Sequence, residues 1–493
     1  MRVLDLISRC YPLFFFLSLY RQMRKEDIAA PEDLPEYRKD DIRTRSLGYD
    51  LPVYLALFLI IFVLVMGWQG LVSALYFTLP IVLLLSIYYV FLLMLLPLCR
   101  RFFHARDCAL LWVLPSALFY CGYHLKWRPV PGWILYIPPI VLKGFLVVWV
   151  CGFVVLMACY LINNHRYRRQ LLTGASPAED AAKAIWRAEL ARAGWQSDIP
   201  LVISPEALTP VTMGLQKKHL VVVLPQRRYT VAEYRLIFRH ELRHIIRQDA
   251  SLKFFWCFLK AICWFNPLIW VAARKASDDM ELSCDEYVLR DADGVTRREY
   301  AELLLDTAGD SRGFSTCLSS AAGTLRHRLR CVVAPRKRHS GLMILSAAML
   351  ILCLTNGKIA VAEGRGLLRD YLELNDYQMI KTYYREVGDG YGHFSHYRDA
   401  EKNEDVDQLI AHLLSRKVTK LPTINHLDAE DFNNSTWYEF VFRDNAETET
   451  IWITVKEGWL LVTRTGVNRS MSFRLESELD WALLDAYLNG WNT

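Results

Sequence analysis

The sequence predicts an α-helical membrane protein of several spans, with one α+β domain between its spans and a smaller α+β domain after the last. Three observations predict this. Hydrophobic residues make up 53% of the 493 residues, above what a soluble chain usually carries, and they cluster in the first third and in one later run. Charge is unevenly divided: from Gly364 onward there are 14 basic and 22 acidic residues, in a chain whose net charge is +6. The tail is therefore acidic and the preceding part strongly basic. All 12 cysteines lie between Cys10 and Cys353. Disulfides are not expected, the cysteine-bearing part suits a cytoplasmic or membrane setting, and the tail must hold together by its own core.

The elements follow in order. Leu13–Tyr20 is apolar but short for a crossing, and Arg21, Arg24 and Lys25 follow it, as in a helix lying at the membrane interface. No small-residue cleavage site comes after it, so a removable signal peptide is not expected. With the polar stretch up to Asp50 it forms a first segment, residues 1–50. Residues 51–163 contain four expected spans, near Leu51–Met66, Leu71–Leu98, Ala109–Tyr123 and Trp133–Ile162. Arg100, Arg101 and Arg106 flank one turn, and Arg166, Arg168 and Arg169 flank the exit of the last span. The turns at Gly67–Gly70 and Lys126–Gly132 carry little charge. The positive-inside rule then places the chain after Asn163 in the cytoplasm.

Residues 164–338 read as the cytoplasmic α+β domain, with a helix over Ala178–Ala193, strands at Leu201–Ile203 and Leu220–Leu224, and mostly helices beyond. Inside it Phe254–Ala273 is an apolar run interrupted by Lys260, fitting either a buried core helix or one that dips into the membrane. Residues 339–357 hold a final span, Gly341–Thr355, entered after Arg336, Lys337 and Arg338. Residues 358–493 are then extracytoplasmic. Helices are expected there at Leu367–Arg385 and Asp405–Leu414. An antiparallel meander follows through Trp437–Arg443, Thr450–Val455, Trp459–Thr463 and Ser472–Leu475, with a last helix over Leu479–Leu488.

The sharpest chemical pattern is His240-Glu241-Leu242-Arg243-His244, an HExxH on a helix that Thr230 and Glu233 start as a capping box. Spacing of four puts both imidazoles on one face, where they can bind one zinc ion, with Glu241 beside the attacking water. A catalytic site of this kind needs a third protein ligand and one open position. Glu281 is the candidate, and Asp285, one turn on, can accept the Nδ1 hydrogen of a ligand histidine and fix its tautomer. Asp278, Asp279, Glu281, Asp285 and Glu286 taken alone would read as a solvated acidic face, but the upstream HExxH reverses that preference. Cys284 reads as structural, because a fourth protein ligand would close the position that water needs. Lys217–Pro225 reads as a strand just before the HExxH helix, either internal or at an edge where a peptide could add backbone to backbone. Glu241 is the expected general base; the sequence does not identify a donor for the developing oxyanion. Aromatic and basic residues are not interleaved as in a nucleic-acid reader, so no direct nucleic-acid partner is expected.

The chain resembles the BlaR/MecR-type antirepressor family of bacterial membrane zinc metallopeptidases. The resemblance rests on HELRH with Arg247 and Asp249, on Trp264-Phe265-Asn266-Pro267, on Glu281 with Cys284 and Asp285, and on Tyr300-Ala-Glu-Leu-Leu-Leu305 with Leu325-Arg-His-Arg-Leu329. It spans roughly residues 130–357. It implies a cytoplasmic, gluzincin-like zinc metallopeptidase domain in a multi-pass protein of the bacterial cell membrane, with zinc held by His240, His244 and Glu281 and with Glu241 as the catalytic glutamate. It also implies a sensor that, on an outer signal, cleaves a cytoplasmic repressor, itself or both. The departure is at the C-terminus, where neither the SxxK nor the KTG of a penicillin-binding domain follows Thr355. Sensing of β-lactams by acylation is therefore not expected, and the outer ligand stays open. Two other readings compete: a housekeeping membrane zinc peptidase, and a non-enzymatic receptor with a structural metal site, against which the intact Glu241 argues.

Overall fold

The computed structural model describes residues 47–116, 118, 131–195, 197–215, 217–309, 322–334, 338–374, 377–387, 393–399, 404–422, 437–444, 446, 448–456, 458–465, 469–477 and 479–484. The interfacial helix expected at Leu13–Tyr20 lies outside them. So do most of the Lys126–Gly132 turn and of the polar stretch before Asp50.

Helix α1 (Leu47–Phe102) is one continuous helix, which corrects the expectation of two spans separated at Gly67–Gly70. The sequence Gly67-Trp-Gln-Gly70 contains no proline. A glycine costs a helix interior only about 1 kcal/mol, too little to break it between two long apolar flanks. At about 1.5 Å per residue, 56 residues reach more than twice the roughly 30 Å of a bilayer core. The part long and apolar enough to cross a membrane is Ala74–Phe102. Of the third expected span, Ala109–Tyr123, residues 117 and 119–123 lie outside the described residues. Its described part is a short helix, α2 (Ala105–Val113), with a 3-10 turn at Leu114–Ser116, and Asp107, Cys108 and Trp112 are buried in protein. The fourth begins later than expected. Trp133–Tyr136 forms strand β1, and helix α3 runs over Pro139–Leu172, the second helix able to cross a membrane by length and composition.

The chain divides into two compact units, one built mainly from Val82–His124 and Val148–Leu354, the other from Phe62–Ile81, Leu125–Val147 and Thr355–Thr493. In the first, strand β2 (Ser176–Pro177), helix α4 (Asp180–Arg192) and strands β3 (Leu201–Ser204), β4 (Val211–Met213) and β5 (Val221–Pro225) precede the HExxH helix α5 (Val231–Ile246). The four strands make a mixed sheet in the order β2-β3-β5-β4. Strand β5 is therefore internal, parallel to β3 and antiparallel to β4. The edge beside the HExxH helix belongs to β4, and the possibility that Lys217–Pro225 is an edge strand is corrected; Lys217–His219 is a 3-10 turn. Gly214 makes that hairpin, at φ +119 with the His219 carbonyl oxygen 2.4 Å from where a Cβ would sit, a position only glycine tolerates. Trp186, Val222, Leu224, Phe238 and Leu242 close the core between α4, the sheet and α5.

Helices α6 (Asp249–Ile262), α7 (Pro267–Val288), α8 (Gly294–Gly309), α9 (Ala322–Val333) and α10 (Leu342–Thr355) complete this unit. The apolar run Phe254–Ala273 is thus no single helix but two, turned at Cys263–Asn266. Asn266 caps α7 by accepting from the Leu268 amide at 3.0 Å, and Pro267 at the first helical position gives up no bond. Phe255, Phe258, Leu259 and Ile262 are buried. Trp149 of α3 donates to the Ile262 carbonyl at 2.7 Å, and the Trp264 ring lies against Gly152, where any Cβ would meet it at 2.4 Å. Helix α7 is tied to α1 and α2 through Asp279, which accepts from Arg100 Nε at 2.7 Å and from Trp112 Nε1 at 2.9 Å. Helix α10 is the 14-residue apolar helix expected as a final span. The Gly341 amide just before it donates to Asp107 at 2.7 Å.

In the second unit β1 pairs in parallel with β6 (Ile359–Ala362). An eight-stranded antiparallel sheet follows: β7 (Gly364–Leu367), β8 (Tyr377–Val387), β9 (His393–Asp399), β10 (Lys417–Lys420), β11 (Trp437–Asp444), β12 (Thr450–Lys456), β13 (Trp459–Arg464) and β14 (Arg469–Leu475), in the order β7-β10-β14-β13-β12-β11-β8-β9. Alternate residues of the meander, Phe440, Phe442, Ile451, Ile453, Val455, Leu460, Val462 and Phe473, face a core shared with Leu409 and Leu413 of helix α11 (Glu404–Leu414). The helix expected at Leu367–Arg385 is corrected. Tyr377–Val387 pairs with Trp437–Asp444, and its tyrosines, Ile380, Thr382 and Val387 suit a strand. Of the last expected helix, Leu479–Leu488, residues 481–484 are helical, 479 and 480 are not, and the rest lies outside the described residues.

Candidate metal centre

Helix α5 begins as its sequence predicts. The Thr230 hydroxyl accepts from the Glu233 amide at 3.2 Å, and the Glu233 carboxylate accepts from the Thr230 amide at 2.7 Å. One turn from its end, His240 and His244 stand on one face with their Nε2 atoms 3.1 Å apart. Glu281 of α7 brings Oε2 to 3.5 Å from the first and 3.7 Å from the second. A point about 2.0 Å from all three atoms therefore exists, matching the bond that zinc takes with nitrogen and oxygen ligands. Burial alone would raise the Glu281 carboxyl, but the two imidazoles and Lys253 hold it well below its ordinary range. It is a carboxylate, the form that ligates a cation.

Each histidine is held from behind. His244 Nδ1 is 2.6 Å from Asp249 Oδ2, and Asp249 also accepts from Arg247 Nε at 3.2 Å and Nη2 at 2.8 Å. Burial would push Asp249 up, but Arg247 and His244 bring it down to about 2. Gln248, the one described non-glycine residue at positive φ (+56), turns the chain so that Asp249 can face back toward His244. His240 is held differently from expectation. Asp285 Oδ1 is 3.5 Å from His240 Nδ1, too far for a hydrogen bond, and the Tyr300 hydroxyl lies between them, 2.9 Å from the nitrogen and 2.7 Å from the carboxylate oxygen. Arg328 clamps Asp285 with Nε at 2.7 Å and Nη2 at 2.8 Å.

Glu241 is buried next to this cluster and its Oε2 accepts from the Thr212 hydroxyl of β4 at 2.7 Å. Cys284 Sγ lies 3.6 Å from His244 Nδ1 and 3.9 Å from Asp249, on the side of the ring away from Nε2. Burial raises its thiol pKa, as befits a packed side chain. Sequence reasoning assigned no role to Thr212, and gave Asp249, Tyr300 and Arg328 only as marks of resemblance.

Residues 136–332 match the model of a family described as BlaR1 peptidase M56. This domain belongs to the BlaR/MecR-type family. The M56 domain is similar to the regulatory protein BlaR1 of Bacillus licheniformis, 24% identical over 193 residues that cover 39% of this chain and 32% of that protein. It is also similar to the methicillin resistance mecR1 proteins of Staphylococcus aureus and Staphylococcus epidermidis, 28% identical over 114 residues, 22% of this chain and 19% of theirs. The matches thus cover a third or less of these relatives' length.

Proposed function

We propose that the chain is a membrane zinc metalloendopeptidase that transduces an outer signal by cleaving a cytoplasmic repressor, itself or both. The observation that carries this is the convergence of His240 Nε2, His244 Nε2 and Glu281 Oε2 on one point, with Glu241 buried beside them at the edge of a sheet. A structural site would have no use for that glutamate. Zinc at this point would lower the pKa of a water and polarise a carbonyl. Glu241 keeps Oε2 on Thr212, so Oε1 is the atom that takes the proton from the attacking water and passes it to the leaving amine. Among the described residues strand β4 has a neighbour on one side only, and an extended peptide can pair with its other edge.

Two apolar helices of crossing length, the apolar α10 and the arginines after Ile162 support a multi-pass protein with the peptidase in the cytoplasm and the tail outside. The family resemblance supports a repressor as substrate. The test is a pair of immunoblots, with tags at both termini, of membranes from wild type and Glu241→Ala prepared with zinc present. Size-specific fragments from wild type alone are expected. Fragments of the same size from both chains would defeat the proposal, as would a purified wild type that binds no zinc.

A further inference from the structure

Tyr300 and Arg328 lie outside the HExxH helix and outside the Glu281–Asp285 turn, yet Tyr300 reaches His240 and Arg328 holds the Asp285 carboxylate on which Tyr300 rests. We propose that both are positioning residues for that histidine, and that the metal site is complete only while helix α9, which carries Arg328, is docked. This rests on the metallopeptidase reading above and deepens it.

The hydrogen bonds allow one arrangement. An ionised Asp285 can only accept, so the single Tyr300 proton goes to its Oδ1 at 2.7 Å. The phenolic oxygen is then an acceptor, and the hydrogen it shares with His240 Nδ1, 2.9 Å away, must be on that nitrogen. That leaves the lone pair on Nε2, the atom facing His244 and Glu281. Tyr300 therefore selects the tautomer that can ligate a metal. Asp285 is 1% exposed, and the Arg328 fork that satisfies it in two places also brings Nη1 to 3.7 Å from Glu281 Oε2. One guanidinium thus fixes the acceptor behind one ligand and flanks another. Helix α9 is itself anchored beside α7, because Arg297 donates to the Val332 carbonyl at 3.3 Å and to the Leu289 carbonyl at 2.6 Å. Whatever shifts this helix moves the atoms that aim His240.

The experiment uses the full chain in detergent and measures zinc affinity by chelator competition, together with the visible absorption of bound cobalt(II). Tyr300→Phe removes the hydroxyl and keeps the ring; Arg328→Lys keeps the charge and removes the fork. Both are expected to bind zinc 10–100-fold more weakly and to alter the cobalt spectrum, while the metal-free chain melts as wild type does. If Tyr300→Phe lowers that melting temperature, Arg328→Lys carries the test. Wild-type affinity and spectrum in the folded variants would overturn the proposal and leave the peptidase reading standing. A wild type that binds neither metal would overturn both.

Discussion

The Thr212 hydroxyl reaches Glu241 from a strand of three residues, 29 positions earlier in the chain. With Glu241 as the proposed base, Thr212 would orient it without taking part in bond making, so its loss is expected to cost less than the roughly 10²–10⁴ that removing a general base costs. Thr212→Val, similar in shape, should cut peptide cleavage about tenfold with zinc content unchanged. A rate equal to wild type would show that Glu241 needs no such support. Residues of this kind mark where sequence reading stopped. His240, Glu241 and His244 are legible because helical periodicity alone brings them together, and Glu281 and Asp285 because they repeat that spacing on one later helix. Thr212, Tyr300 and Arg328 reach the same place from separate elements, and although the last two lie in motifs that carry the resemblance, nothing local shows that they meet there. Asp249 was within sight in the sequence, but only the left-handed turn at Gln248 shows that it serves His244.

Helix α7 joins the candidate site to the helices α1 and α2. One face bears Glu281 and Asp285, and two residues before Glu281 stands Asp279, whose side chain is 1% exposed and paired with Arg100. Removing one partner of such a pair strands a charge in a dry setting and costs about 3–5 kcal/mol. Asp279→Ala is therefore expected to lower the unfolding free energy of the chain in detergent by that order and its denaturation midpoint with it, and an unchanged midpoint would show that the pair does not anchor α7. Elements set by short-range pattern were legible: the α5 cap, α4, α11 and the four-strand meander. Those set by distant partners were not. Tyr377–Val387 looks helical until Trp437–Asp444 is laid beside it, and β5 is internal only because Val211–Met213 returns along it. Gly67–Gly70 misled in the opposite direction, since glycines that resemble a turn in the sequence are carried inside a helix by their flanks.

For the molecule as a whole, the charge asymmetry and the apolar helices predict an outer tail. A C-terminal tag should be removed by protease added to intact spheroplasts, while the M56 domain should resist until they are lysed. A tag equally protected before lysis would reverse the proposed orientation. The described cysteines are all free thiols, so the peptidase unit has no described covalent clasp. Its proposed ligands are far apart in sequence: from His240 to Glu281 the chain runs about 40 residues, through α6 and into α7. An ion held at both ends would cross-link that length as a disulfide would, and by loop-closure entropy a tie of this size is worth about 4 kcal/mol against the unfolded chain. The same atom proposed to serve the chemistry would then be the knot in the polymer, and stripping it would slacken the loop lying alongside α3.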